Sequence, residues 1–281
     1  MTFDSMLAAD IAAWPAVTAG CALVGAEGVL ATAGAVDEST RWASVTKIIA
    51  SLAVLDVVHD GLLDLDEPAG PPGSTVRHLL GHASGWAFDE QRVLAAPGTR
   101  RIYSNVGIDA VVELARARAG AVSVAAFLAG RVLEPLGMHD TVIVGPAAHG
   151  AVGPVSDLAL LARELLAPRS LRTIVVDDAI APSFPGLVGV LPGFGRQEPN
   201  DWGLGVELHG HKSPHWMPPS ASASCAGHFG QSGAFVWADR EVGLAAVAAT
   251  GTDFGPWAAE AWPRDGERWL TAWRFSAAGG R

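Results

Sequence analysis

Two short segments of this chain, Ser44-Val45-Thr46-Lys47 and Tyr103-Ser104-Asn105, hold residue types suited to nucleophilic attack on a carbonyl. A serine hydroxyl is a weak nucleophile until a neighbouring base takes its proton. Ser44 opens a segment of helical spacing, where free backbone N–H groups and the helix dipole favour negative charge. Lys47 lies three residues on, one turn along the same face. Partial burial disfavours an ammonium and makes such a lysine a base. Tyr103 is placed to share the proton transfer, and Asn105 to hold either a substrate or Lys47 by hydrogen bonds. Rarity sharpens this reading, because the 281 residues include only two lysines, one tyrosine and two asparagines. With 17 serines and two lysines, a chance Ser-x-x-Lys is expected about 0.1 times. A lone tyrosine two residues before an asparagine is rarer still, on the order of 0.01.

A third segment, Gly227-His228-Phe229-Gly230-Gln231-Ser232-Gly233, leads into a strand. Its small residues would let a substrate lie along the strand edge, and a backbone N–H there would serve an oxyanion hole.

The elements that must position these groups are legible as patterns. Met1 to Trp14 reads as an amphipathic helix. Val17–Val24 and Val29–Ala33 flank Gly25-Ala26-Glu27-Gly28 as a hairpin. Ile48, Ile49, Leu52, Leu55 and Val58 recur at helical spacing until Gly61. Helical patterns return at 76–80, 105–117, 123–133 and 156–166, with Ser123 and Ser156 as N-caps of the last two. Residues 168 to 200 show no clear periodicity. Strand character resumes at 203–208, 224–230, 234–238 and 242–249, with Asp239-Arg240-Glu241 as a turn, and four tryptophans mark a C-terminal helix. The expected fold is α+β: an antiparallel five-stranded sheet flanked by terminal helices, with an inserted mainly helical lobe. Residues 1–60 and 201–281 would form the sheet lobe, and 61–200 the helical lobe.

The three motifs, in this order, resemble the serine β-lactamase and penicillin-binding fold. The Tyr-x-Asn form is similar to class C β-lactamases and their esterase and DD-peptidase relatives. Leu79-Leu80-Gly81-His82-Ala83-Ser84-Gly85, Pro97-Gly98-Thr99, Pro135-Leu136-Gly137-Met138 and Trp202-Gly203-Leu204-Gly205 extend the resemblance over about residues 15 to 252. It implies an active site between a sheet lobe and a helical lobe. It casts Ser44 as nucleophile, Lys47 and Tyr103 as the proton-handling pair, and Asn105 as an assisting amide. It also implies an oxyanion hole from the backbone N–H groups of Ser44 and Gln231. Substrate binding would fall to Asn105, His228, Gly230 and Gln231. One departure matters. Class C enzymes carry Lys-Thr-Gly at the third motif, where the lysine favours a substrate carboxylate; here His228 stands in its place, as in esterase-like relatives. No loop resembling the deacylating glutamate loop of class A enzymes is present.

The expectation is therefore a serine hydrolase that cleaves esters or amides through a Ser44 acyl-enzyme, most simply an esterase. A β-lactamase, a D-amino-peptide hydrolase and a non-catalytic ligand-binding relative are the alternatives. The partner is a small-molecule ester, amide or β-lactam, with no cofactor and no metal. A net charge of −10 and the lack of any basic run argue against nucleic acid. Apolar runs fall short of membrane-spanning length. An N-terminal segment without Lys or Arg and two cysteines, Cys21 and Cys225, read as a cytoplasmic protein with reduced thiols. His209, His211 and His215, with Glu207, have spacing that zinc could use. Their position at a strand end and in a Pro-rich segment reads instead as a solvated loop.

Overall fold

A computed structural model describes residues 2–279. Six antiparallel strands form the central sheet, in the order Gly28–Gly34, Ala19–Gly25, Leu244–Thr250, Ala234–Asp239, Ala226–Gly230 and Glu207–Leu208. The N-terminal hairpin joins the C-terminal strands where Cys21 faces Ala248. The long insert therefore leaves and re-enters a single sheet. The expected five strands gain a sixth, because Glu207 and Leu208 pair with Gly227 and Ala226 at the edge. That edge stays short because residues 203–206, read as strand, instead turn at Gly205, whose φ is +78°. An added Cβ there would lie 1.6 Å from Ser51 Oγ, so only glycine lets this turn pack on the helix beneath.

Except at the edge strand Gly28–Gly34, where Leu30 and Thr32 are exposed, the sheet is buried on both faces, and the period of two along its strands divides the core. On Leu244–Thr250, Ala245, Val247 and Ala249 point into one cluster, and Leu244, Ala246 and Ala248 into the other. On Ala234–Asp239, Val236 joins the first cluster, while Phe235 and Trp237 join the second. The terminal helices, Phe3–Ala12 and Pro256–Gly279, cover the second face. Indole-to-carboxylate bonds tie them together: Trp269 Nε1 donates to Asp10 at 2.8 Å, and Trp14 Nε1 to Asp265 at 2.9 Å. The helix Val155–Leu166, part of the 61–200 insert, lies across the other face against Leu244–Thr250 and Ala19–Gly25.

Thr46–His59 is the axis of the remaining core. It is buried on nearly every side, including Ile48, Ile49, Leu52 and Leu55, as expected of a helix that is apolar all round. Asn105–Arg118 and Thr173–Ile180 pack on it. The second of these falls in the stretch without readable periodicity. Thr173-Ile174-Val175-Val176 opens it with β-branched residues of weak helical propensity, and Val175, Val176 and Ala179 hold it by burial. Ser123 accepts from Ala126 N as an N-cap. Ser156 does not cap: its helix starts at Val155 after Pro154, and Ser156 N donates to Val36 O.

Cys21 and Cys225 are free and buried. Two strands lie between theirs, so about 14 Å separates them at roughly 4.8 Å per strand, beyond the ~7 Å reach of a disulfide. Among the described residues, no helix is long and apolar enough to cross a membrane.

Candidate active site

Ser44 sits in a tight turn, Ala43–Val45, that runs straight into the Thr46–His59 helix. The sequence places Ser44 as the first residue of that helix; the turn holds it just before. Ala43 has φ +44°, a left-handed conformation that an alanine keeps only when its surroundings impose it. The imposing contacts come from the strand Ala151–Gly153. Ala151 O accepts from Trp42 N, Ala151 N donates to Thr46 Oγ1 at 3.0 Å, and Gly153 O accepts from the Trp42 indole at 2.9 Å. From the opposite side the Ala226–Gly230 strand presses on the same turn. A Cβ on Gly230 would meet Trp42 O at 2.2 Å. Gly230 is thus required by backbone packing against the turn that carries Ser44. Ser232 Oγ donates to Arg41 O at 2.6 Å and fastens Gln231 beside Ser44.

Lys47 is fully buried. Its Nζ reaches Ser44 Oγ at 3.2 Å, Asn105 Oδ1 at 2.6 Å and Ala148 O at 3.0 Å, and lies 4.6 Å from the centre of the Tyr103 ring. All three acceptors are uncharged. Carboxylates stand one residue further out: Asn105 donates to Asp89 at 2.7 Å, and Ala148 N donates to Asp109 at 2.9 Å. Burial accordingly pushes the Lys47 pKa down to about 7, against the weaker opposing pull of Asp109 and Asp89. Asn105 therefore holds Lys47, one of the two roles open to it from sequence, and does not face the cavity.

The Tyr103 hydroxyl lies between Ser44 and His228, with Nε2 of His228 at 3.4 Å. Burial raises its pKa well beyond the ordinary phenol range, with hydrogen bonding to Ser44 acting the other way. His228 Nδ1 lies 2.7 Å from Phe229 O. A carbonyl only accepts, so Nδ1 carries the proton and Nε2 is left as an acceptor facing Tyr103. Burial first, and the nearby Lys47 charge second, push the His228 pKa down to about 3. His228 is consequently a neutral acceptor here, where the lysine of Lys-Thr-Gly would be a cationic donor.

A cavity of about 100 Å³ joins Ser44 and Tyr103 to Trp202, Glu207, His228 and Gln231. Sequence reading missed three groups around it. His82 packs on Tyr103 with ring centres 4.6 Å apart, Trp202 sets its edge toward His228, and Glu207 forms part of the wall. Glu207 also corrects the solvated-loop reading for His209 and His215, while His211 in the same loop stays exposed. His215 Nε2 lies 2.9 Å from Glu207 Oε1, Lys212 Nζ 3.1 Å from the same oxygen, and Trp216 Nε1 donates to Oε2 at 2.8 Å. His209, Lys212 and His215 are all buried. Met217 N donates to His215 Nδ1 at 3.1 Å, so the ring proton is on Nε2 and points at Glu207. Burial raises the Glu207 carboxyl, but Lys212 and the donors from His215 and Trp216 outweigh it and hold it well below the usual range. The segment folds inward because it encloses a carboxylate that needs donors.

An antiparallel sheet covered by helices, with a serine turn, a buried lysine and a tyrosine meeting at its edge, is the β-lactamase and transpeptidase fold. The β-lactamase family model matches residues 16–267, and the chain belongs to that family. It is similar to a β-lactamase from Mycobacterium bovis, with 45% identity and a TM-score of 0.91 over 94% of this chain and 97% of that one. Unliganded simvastatin synthase from Aspergillus terreus shares the fold at 16% identity and a TM-score of 0.74, over 96% of this chain and 97% of that one. So does EstCE1, a hydrolase with promiscuous acyltransferase activity, at 15% identity and 0.75 over 94% and 96% of the two chains. No curated protein matches. The framework is that of a serine hydrolase.

Proposed function

We propose that the chain is an esterase acylated at Ser44, with Lys47 as the base. The observation that carries this reading is the 3.2 Å approach of a fully buried lysine to the Ser44 hydroxyl, with no carboxylate in contact with the ammonium. At neutral pH a large fraction of Lys47 is uncharged, the condition a general base needs. Ser44 Oγ bonds to the ester carbonyl carbon as its proton passes to Lys47 Nζ. The C–O bond to the alcohol then breaks, and the alcohol leaves with that proton, relayed by the Tyr103 hydroxyl. Water attacks the acyl-enzyme, gives its proton back along the same path, and releases the acid. Tyr103 stays a phenol in the resting site, which favours Lys47 over Tyr103 as the group that starts the reaction. The N–H groups of Ser44 and Gln231 are our candidates for the oxyanion hole.

Esters are preferred to β-lactams because the cavity offers a carboxylate no cation. His228 is neutral, Lys47 is engaged, and Glu207 adds a negative group to the wall. A charged partner for a carboxylate contributes about 1.5–3 kcal/mol against about 1 for a neutral one, a difference of up to tens-fold in capture. A β-lactamase is the second reading, favoured by the name of the 45% identical Mycobacterium bovis protein. The test pairs a fluorophosphonate label with kinetics. One label on the Ser44 peptide, absent in Ser44→Ala, and a higher kcat/KM for p-nitrophenyl acetate than for nitrocefin are expected. A label that persists in Ser44→Ala overturns the site; faster nitrocefin turnover makes the second reading the first.

A further inference from the structure

Next to the cavity at Ser44 lies a second, larger groove that the reaction as described leaves unused. The two share Phe88, Tyr103 and Pro192 as walls. The outer groove, of about 460 Å³, runs on past Tyr103 between Leu94, Ile102 and Val190. Its rim is open and mostly apolar: Phe88 is 50% exposed, Leu94 46% and Val190 60%, with the exposed Arg100 and the hydrogen-bonded Arg101 also lining the groove. Large apolar side chains on a surface are ordinary when scattered, but grouped at the mouth of a cleft they mark a binding surface. The walls are fixed. Phe88 stacks on Tyr103 with centroids 5.8 Å apart and planes 23° from parallel. The hairpin Gly189–Leu191/Gly195–Gln197 carries Val190, and it is bridged to Arg101, whose guanidinium donates to Asn200 O at 3.1 Å and Ser183 O at 2.7 Å.

We infer that the two compartments sort the two halves of an ester: a short acyl group in the inner cavity and an apolar alcohol in the outer groove. This inference rests on the Ser44 reading above. Two observations give the assignment its direction. The inner cavity, at about 100 Å³, is smaller than the ~150 Å³ of an apolar cavity that takes up one benzene. It is walled by Trp202, Phe229 and Leu191, so it admits a short acyl group and excludes a long one. Tyr103, the proton relay in the reading above, is a wall of both the inner cavity and the outer groove. A leaving oxygen must lie next to its proton donor, so the alcohol extends along that groove. The substrate class is therefore short-chain acyl esters of extended apolar alcohols.

Octyl acetate and ethyl octanoate are isomers of equal atom count that place the long arm on opposite sides of the ester. The structure assigns octyl acetate the higher kcat/KM, by at least about tenfold, with ethyl acetate as the armless reference. Leu94→Asp and Val190→Asp alter exposed positions outside the catalytic cluster. Each is expected to bring octyl acetate down toward the ethyl acetate rate and to leave ethyl acetate itself unchanged. Ethyl octanoate turned over as fast as octyl acetate, or a preference that survives both aspartates, overturns the inference while leaving the esterase reading intact. Loss of ethyl acetate turnover together with an unlabelled Ser44 would instead remove the reading on which the inference stands.

Discussion

Lys47 and Lys212 are the only lysines of the chain, and burial closes over both. Lys47 faces a hydroxyl, an amide oxygen and a carbonyl, with carboxylates one residue removed. Lys212 touches Glu207 directly at 3.1 Å and donates to Asp201 O at 2.8 Å and to Leu208 O. Desolvation pushes both ammonium groups down, but only in Lys212 does a contacting carboxylate oppose it. The same residue type becomes a candidate base in one place and a structural cation in the other, and the distance to a counter-charge decides which. Lys47 is thereby left without a contacting counter-charge, while Glu207 supplies one to Lys212.

Substitution should separate the two roles. Lys47→Ala is expected to lower kcat for a neutral ester by roughly 10²–10⁴-fold, the span of general base catalysis, with the fold intact. In the parent, kcat/KM should rise about tenfold per pH unit on the acid side and level off near pH 7, as Lys47 loses its proton. His228, at about 3, is already neutral throughout that range and adds no limb. A flat profile between pH 5.5 and pH 8.5 at about the histidine range, or near-parent activity in Lys47→Ala, removes Lys47 from the role.

Lys212→Met should do the reverse. It leaves the Glu207 carboxylate buried without its cation, and breaking a buried pair costs about 3–5 kcal/mol of stability. Urea unfolding measures that loss. Adding Glu207→Gln removes the stranded charge and should recover at least about half of it, the non-additivity expected of contacting groups. A loss in Lys212→Met under about 1 kcal/mol, or no rescue, would show that the pair is not a locked unit.

A smaller effect sharpens the contrast. Lys47→Met should stabilise the fold below neutral pH. The folded pKa of about 7 lies below the ordinary 10.5, so between those values the unfolded chain binds a proton that the folded chain does not. Stability then rises with pH across that window, and the penalty is fully present below pH 7. At 1.36 kcal/mol per pK unit the penalty is about 4–5 kcal/mol. Three lost hydrogen bonds at about 1 kcal/mol each leave a net gain of about 1–2 kcal/mol. The gain should shrink toward zero or reverse by about pH 10; one that stays constant with pH contradicts the depressed lysine.

The contrast also marks what the sequence could carry. Ser44, Lys47, Tyr103 and Asn105 were legible because their spacing is local, one helical turn in the first motif and a strand-like step in the second. His228 was legible as a position, but its role depends on the Phe229 carbonyl that fixes its tautomer, a detail no spacing encodes. Glu207 and Trp202, which line the cavity, and His82, which packs on Tyr103, were not assigned to the site because each comes to it through contacts with segments distant in sequence. Burial of His209, Lys212 and His215 was missed for the same reason: a histidine-rich, Pro-flanked stretch looks solvated until the carboxylate partner of Lys212 and His215 is seen. The sheet and the terminal helices were readable from period and from tryptophan. Thr173–Ile180 was not, since packing overrides its β-branched composition.

The thiols offer the mildest test of the principle that separates the lysines. Desolvation favours the neutral form of any ionisable group, so it lowers a lysine and raises a cysteine. Burial pushes Cys21 up to about 12 and raises Cys225 well above the ordinary thiol range. Thiolate is the reactive species, so both should be inert while the chain is folded. Iodoacetamide at pH 8, close to the unperturbed thiol pKa of about 8.5, is expected to leave the native protein unmodified. After denaturation without reductant it should add two carbamidomethyl groups, one on each cysteine. Cys21→Ala and Cys225→Ala should each cost only about 1 kcal/mol, the ordinary effect of a small core truncation, and leave ester turnover unchanged. Rapid native labelling of either residue would mean that its strand opens to solvent. Because Cys21 pairs with Ala248 in the strand next to Phe235, that outcome would also undermine the rigid sheet on which the Lys47 environment depends.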